Sequence, residues 1–255
     1  MEPRQYARMY EMERTGWWFR IKRELAFRFV PSTASDGRPA RVADLGCGTG
    51  IVLAELPAPA VGVGFDLSPE ALALSARRGL SRLACATCDA IPAADASFDA
   101  VLLLDVIEHL PDDETALREA CRVLRPDGLC IVTVPAHPFL WGPHDEVHHH
   151  YRRYRKRGLA DMLVRSGFEI VKLTPAFATA LPAALVVRPL ERALSRIAPR
   201  RPPTDDFARL PAWLNGLLYR MCRWETRRVA RGGLPVGLSL LAVCRPRARA
   251  SGARA

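Results

Sequence analysis

The nine residues 42–50, VADLGCGTG, restrict what this chain can fold into more than any other stretch. Val42, Ala43 and Leu45 read as a buried strand, and Ile51, Val52 and Leu53 open a helix beyond it. Between them Gly46, Gly48 and Gly50 stand at alternate positions, so no Cβ crowds the turn and the backbone can take positive φ. Strand, glycine turn and helix in that order is a unit of doubly wound α/β sheets, whose ligands sit outside the carboxyl ends of the strands. Asp44 lies at this strand end, two residues ahead of the first glycine, where its carboxylate can face a ligand.

The glycine spacing argues against a dinucleotide. That fingerprint spaces its glycines G-x-G-x-x-G to seat a pyrophosphate on a helix N-terminus. Here the pattern is G-x-G-x-G behind an acid, which suits a ligand carrying a cationic sulfonium and an amino acid tail. The stretch resembles the first motif of class I S-adenosylmethionine (SAM)-dependent methyltransferases.

Further segments follow in the order that this resemblance implies. Residues 60–65 read as a second strand ending in Asp66, where an acid about 20 residues after the glycines can accept hydrogen bonds from a ribose diol. Leu67, Ser68 and Pro69 then start a helix, with Ser68 as N-cap and Pro69 at the first helical position. Residues 83–88 read as a short third strand before Asp89 and Ala90, the position at which the family places an acid and a backbone amide near the adenine. Residues 98–105, FDAVLLLD, form an apolar run typical of a strand buried on both faces. The string DVIEHL, 105–110, resembles the family motif flanking the methionine end of SAM and the acceptor, and a helix is predicted from about 113 to 124. The turn at 125–128, RPDG, resembles the family's L-x-P-G-G with Asp127 in place of a glycine; a fifth strand over 129–134 and a sixth over 168–174 follow.

At the front, 6–29 read as one or two helices with Tyr6, Met9, Tyr10, Glu13, Trp17 and Trp18 at helical spacing. This part resembles the WWFR-type cap of a methyltransferase subgroup, in which Trp18 either anchors the helix or lies near the cofactor. The implied cofactor is SAM, and the implied cofactor-binding residues are Asp44, Gly46, Cys47, Gly48, Gly50, Asp66, Leu67, Asp89, Ala90, Asp105 and Trp18. The expected fold is a Rossmann-like, doubly wound, seven-stranded α/β sheet, mostly parallel with an antiparallel last strand. It carries an N-terminal helical cap (1–36), a SAM-binding domain (37–174), a helical insertion (175–234), the final strand (235–246) and a disordered tail (247–255).

Residues 135–154, PAHPFLWGPHDEVHHHYRRY, hold five of the six histidines, and His109 comes from the neighbouring loop. Both loops leave the carboxyl edge of the expected sheet. Methyl transfer is an in-line displacement that depends chiefly on holding acceptor and methyl aligned, which can contribute roughly 7–11 kcal/mol. A hydroxyl acceptor needs a base, and histidine has a suitable pKa. His109, His144, His149 and His150 are the candidates, His144 and His150 first, with Asp145 able to orient an imidazole. Imidazoles beside carboxylates also suit zinc, iron or nickel. His144 and His148 share a face only in a helix, and Gly142 and Pro143 argue for a loop, so no metal is expected.

The insertion, 175–234, occupies about sixty residues where a hairpin would suffice, a length that argues for an acceptor-side lid. It reads as two helices, 183–197 and 214–231, split by a Pro/Arg-rich linker at 199–203. Trp213, Leu217, Met221 and Trp224 share one face, which either packs on the core or, among the arginines, lies on an anionic bilayer or lipid-like substrate. Charge supports the distinction. Residues 1–187 carry 22 Lys+Arg against 23 Asp+Glu, whereas 188–255 carry 15 Arg against 4 acids.

Seven cysteines at irregular spacing fit a reduced cytosolic protein better than a disulfide framework. No apolar run approaches the roughly 20 residues of a membrane span, and the first 16 residues lack the apolar core of a signal peptide, so a cytoplasmic protein is expected. The sequence thus predicts a methyltransferase acting on a small-molecule acceptor, a natural product or lipid-like metabolite, at oxygen, with nitrogen or carbon as alternatives. A catalytically silent SAM-fold partner subunit and a nucleic-acid-binding protein are the alternatives from other classes; no nucleic-acid module is recognisable, and no nucleic-acid partner is expected.

Overall fold

The computed structural model describes residues 3–197 and 210–248. Its strands are β1 (Arg41–Leu45), β2 (Val61–Asp66), β3 (Leu83–Cys85), β4 (Phe98–Leu104), β5 (Leu124–Pro135), β6 (Phe168–Ala176) and β7 (Ser239–Pro246). They form one sheet in the order β3-β2-β1-β4-β5-β7-β6. β1 pairs in parallel with β2 and β4, β2 with β3, and β4 with β5, while β7 runs antiparallel between β5 and β6. This is the Rossmann-like seven-stranded sheet that the motifs imply, with the last strand antiparallel. The strand order reverses between β1 and β4, and that switch point opens a crevice at the carboxyl edge. Between the pairs Phe98–Leu124 and Ala100–Leu129 the register shifts, so 125–128 bulge out of the ladder where the sequence has its Pro-Asp-Gly turn.

Side chains alternate across the sheet, as strand geometry requires. On one face Ala43, Leu45, Val101, Leu103 and Val132 pack against helices α5 (Asp113–Val123) and α7 (Lys156–Arg165), through Leu117, Ala120, Leu159 and Leu163. On the other, Val42, Ala100, Leu102, Ile131 and Val243 meet α2 (Trp17–Phe27) and α9 (Ala212–Arg231), through Ile21, Leu25, Cys222 and Val229. Each fully buried Leu or Ile contributes roughly 1.5–3 kcal/mol, so the two apolar layers dominate the fold.

The N-terminal helices do different jobs. α1 (Pro3–Met12) lies beside α4 (Pro69–Arg77), whereas α2 covers the sheet. The α4 helix starts as the sequence predicts: the Ser68 hydroxyl accepts the Ala71 amide at 3.2 Å with Pro69 at its first position.

The insertion leaves from the carboxyl end of β6, forms α8 (Leu181–Ile197), and returns as α9 along α2. Asn215 accepts the Trp17 amide at 2.8 Å and donates to the Thr15 carbonyl at 3.0 Å, and Arg20 stacks on the Tyr219 ring. Buried Glu225 accepts the Ala178 and Thr179 amides and the Thr179 hydroxyl at 2.7, 3.0 and 2.7 Å. The face of α9 that packs is therefore Cys222, Glu225, Thr226 and Val229, opposite the aromatic one. Trp213 and Trp224 are 71% and 67% exposed, which rules out core packing for that stripe. The linker at 199–203 and the tail from 249 lie outside the described residues. Among the described residues, no helix is long and apolar enough to cross a membrane.

Candidate active site

The glycine turn connects β1 to α3 (Ile51–Ala54) at the switch point. Gly46 and Gly50 have φ of +72° and +78°, and a Cβ on Gly46 would come within 2.8 Å of a Val106 methyl. The chain passes this close to the loop after β4 only because the side chain is missing. Asp66, at the end of β2, accepts the Gly48 amide at 2.8 Å and the Ser68 amide at 2.9 Å, tying the turn to the second strand. Leu67 is 65% exposed beside it, and Asp89 and Ala90 are exposed after β3.

Asp44 is buried, and its Oδ2 has no partner among the described residues. Burial first, then the charges of Asp66 and Glu13, push its carboxyl up to about 8. An orphaned, desolvated acid beside a turn whose alternate residues are glycine could hold a cation. Cys47 is buried next to it, its thiol pushed well above the usual range by burial and then by Asp44.

Several residues that build this cleft carry no sequence motif. Met9 of α1 lies over Gly48, its Cε 3.3 Å from where a Cβ would be. Tyr6 stands by Asp66, and burial, then that charge, raise its phenol. Buried Glu13 bonds to the Thr49 hydroxyl and pairs with Arg78 at 3.1 Å, while Arg78 stacks on Tyr10 and donates to the Thr49 carbonyl at 2.8 Å. The one signal for Glu13 is an acid on an otherwise apolar helical stripe. Trp18 packs on Phe177, 4.8 Å between centroids, with the Lys22 ammonium over its ring.

Asp105, with φ +55°, pairs with Lys22 and accepts the Thr133 hydroxyl at 2.9 Å. Burial raises its pKa, but Lys22 and Thr133 outweigh burial and hold it below the usual carboxylate range. Its carboxylate is thus engaged within the protein, and Lys22 is another residue no motif marks.

Glu108 and His109 form the one-turn 3₁₀ segment Ile107–His109. Opposite stands the histidine loop, which departs from the expected irregular backbone. Residues Pro143–Val147 form a one-turn helix, α6, because Gly142 takes the N-cap, Pro143 suits the first position and Asp145 reaches back to the Gly142 amide at 2.9 Å. The His148 amide closes the turn onto the His144 carbonyl at 3.1 Å, and the two rings meet with centroids 4.5 Å apart. The shared face that the loop reading denied these two histidines is therefore present.

Fully buried Asp145 organises the cluster. Its Oδ1 receives His150 Nδ1 at 2.9 Å and Arg153 Nε at 2.8 Å, and its Oδ2 receives Arg188 of α8 at 3.2 Å. Burial opposes its charge, but His150 and Arg153 hold it well below the usual carboxylate range. The His109 and His150 rings stand edge to face at 4.6 Å, and His144 lies 5.9 Å from His150. Burial, and then His150, push His109 down to about 4; burial, and then His148, lower His144, so both rings are neutral at physiological pH. His137 points elsewhere, bonded to the Gly237 carbonyl at 2.9 Å.

Residues 43–132 match the family model described as a methyltransferase domain. A crystal structure of an S-adenosylmethionine-dependent methyltransferase from Thermotoga maritima superposes with a TM-score of 0.60 over 96% of both chains at 18% identity, a likeness of fold. The chain is 30% identical over 173 residues to a probable S-adenosylmethionine-dependent methyltransferase of Mycobacterium tuberculosis, covering 66% of this chain and 61% of that one. Residues 43–132 are thus a methyltransferase domain, set in a sheet with the class I S-adenosylmethionine-dependent methyltransferase fold. The chain also shares 35% identity over 112 residues with a ubiquinone biosynthesis O-methyltransferase of Parvibaculum lavamentivorans, 39% of its own length and 44% of the relative's. The chain thus spans 44% and 61% of the length of these two curated relatives. The family's methyl donor carries positive charge on sulfur and on its amino group, and the orphaned Asp44 carboxylate fits that charge.

Proposed function

We propose that the protein is an S-adenosylmethionine-dependent methyltransferase that moves a methyl group to an oxygen of a small, lipid-like acceptor held between the cofactor cleft and the histidine cluster. S-adenosylmethionine, when bound, supplies an electrophilic methyl on a sulfonium leaving group that needs no acid. Asp44, Gly46, Cys47, Gly48, Gly50, Asp66, Leu67, Asp89 and Ala90 would hold it, with Asp44 meeting its positive charge. Asp105 and Trp18 act at one remove, through Lys22 and Phe177. The observation that carries the reading is the His150–Asp145 pair at 2.9 Å. Asp145 fixes the ring through Nδ1, which leaves Nε2 as the nitrogen able to take a hydroxyl proton. His109 and His144 line the site with neutral rings. α8 closes the far side through Arg188 and through Arg192, which donates to the Phe139 carbonyl at 3.1 Å. The likeness to the Parvibaculum ubiquinone biosynthesis O-methyltransferase supports oxygen as the methylated atom.

The test is incubation of the protein and labelled donor with an extract of the producing cells, followed by mass spectrometry of labelled small molecules. Single alanine variants at His109, His144 and His150 should include at least one that binds donor normally but does not turn over. Normal turnover in all three would dismiss acid–base work by this cluster.

A second reading concerns the insertion. Trp213, Leu217, Met221 and Trp224 form one exposed stripe on α9, flanked by exposed Arg220, Arg223, Arg227 and Arg228. Val186 and Leu190 of α8 add exposed apolar surface. Apolar anchors among arginines suit an anionic membrane surface, from which a lipid-like acceptor could reach the cleft. Sedimentation with anionic vesicles should show binding at low salt that is lost at high salt and in Trp213→Ser/Trp224→Ser protein. No binding at low salt would refute it.

A further inference from the structure

We propose that Glu108, His109 and His150 form a site for one divalent transition-metal or zinc ion, placed to receive the acceptor oxygen. Each of the three offers a ligand atom, and these atoms lie within 4.8 Å of one another, a span that one ion can bridge at ordinary bond lengths. Two features separate this trio from a chance grouping. Glu108 is 1% exposed, and its Oε2 has no hydrogen-bond partner among the described residues, so a desolvated carboxylate oxygen lies in a polar pocket with nothing to satisfy it. His150 is already held as a metal-bound histidine is held: Nδ1 sits on the Asp145 carboxylate at 2.9 Å, leaving Nε2 to face the ion. Asp145 is in turn locked by the Gly142 amide at 2.9 Å, Arg153 at 2.8 Å and Arg188 at 3.2 Å.

The donor set defines the ion. Two imidazole nitrogens and one carboxylate suit zinc, iron(II), cobalt(II), nickel(II) or manganese(II), and fit poorly with calcium or magnesium, which prefer all-oxygen shells. Three protein ligands leave coordination positions open. The site adjoins the cofactor cleft, since Glu108 lies two residues after Val106, whose methyl abuts Gly46. This use of the ion rests on the oxygen-acceptor reading above. The acceptor hydroxyl binds the ion through oxygen and loses its proton to bulk water. The resulting oxyanion attacks the methyl carbon, and the carbon–sulfur bond breaks with its electron pair going to sulfur. In the loaded protein His150 is then a ligand, and only in the metal-free protein does it serve as the base.

The experiment uses full-length protein stripped with chelator and titrated with zinc and cobalt(II), without donor or acceptor. Calorimetry should give one ion per chain with micromolar or tighter affinity, and cobalt should develop the visible bands of a nitrogen- and oxygen-ligated centre. Glu108→Gln, His109→Ala and His150→Ala should each weaken binding at least 100-fold, and Asp145→Asn about 10-fold by freeing the His150 ring. His137→Ala should bind as wild type does. Circular dichroism identifies variants that fail to fold; Glu108→Gln, which conserves shape, keeps the test decisive. Absent binding to folded wild-type protein, or binding unchanged in Glu108→Gln and His109→Ala, overturns the site. If the ion binds but no oxygen is methylated, the acceptor reading fails and the site stands; if oxygen is methylated by protein that binds no ion, the site fails and His150 remains the base.

Discussion

Replacing Asp44 by asparagine should raise the stability of the ligand-free protein while weakening its hold on S-adenosylmethionine. Asp44 is 3% exposed, and its carboxyl is pushed up to about 8 by burial first and by the Asp66 and Glu13 charges next. In the unfolded chain the same group ionises near pH 3.9. Because the folded value is the higher one, this acid favours folding less as pH rises from about 4 towards 8, and the penalty is constant above that. At pH 7, about three units above the unfolded value and about 1.36 kcal/mol per unit, the penalty approaches 4 kcal/mol. Asparagine keeps the shape and removes the titration, so a gain of about 2–4 kcal/mol is expected at pH 7.5, or roughly 5–10 °C in melting temperature. At pH 5, only about one unit above the unfolded pKa, much less ionisation is lost on folding and the gain should shrink to about 1.5 kcal/mol or less. Donor affinity should fall at least tenfold, because a cation then meets a neutral amide. Differential scanning calorimetry at the two pH values, with titration calorimetry for the donor, reads both effects. An asparagine variant no more stable than wild type at pH 7.5, or one that binds the donor equally well, would refute the account of Asp44 as a carboxylate held for a positive ligand.

Three further outcomes follow from particular contacts. Asp66→Ala removes the acceptor of the Gly48 and Ser68 amides, so donor affinity should drop tenfold or more in calorimetry while the far-ultraviolet circular dichroism is unchanged. Glu225→Ala strands the amides of Ala178 and Thr179 under α9 and should lower urea stability by about 2–4 kcal/mol, with Glu225→Gln intermediate. Gly46→Ala meets both a φ of +72° and the Val106 methyl at 2.8 Å, whereas Gly37→Ala meets φ +83° and open space. The first should cost about 2–3 kcal/mol and the second about 1 kcal/mol; equal losses by chemical denaturation would mean that backbone conformation alone matters.

The sequence alone determined the sheet, the switch point and the class of ligand, because each rests on short-range pattern. The turn at 42–50 needs its glycines adjacent in the chain, and the apolar run at 98–104 declares a strand buried on both faces wherever its partners are. The Ser68-Pro69 start of α4 is equally local. Tertiary structure alone decided which polar groups meet. Glu13 finds Arg78, Lys22 finds Asp105 and Asn215 finds Trp17, across separations that no periodicity encodes. The exposed side of α9 was undecidable from a helical stripe, since burying Cys222 and Val229 or burying the tryptophans satisfies the same period; Glu225, bonded to the turn after β6, settles the rotation. Within the histidine loop the residue types were legible but their roles were not. Only folding supplies Asp145 as a hub for His150, Arg153 and Arg188, and brings Glu108 from another loop beside His109 and His150. A buried carboxylate must be satisfied by whatever the fold places around it, and that requirement is long-range.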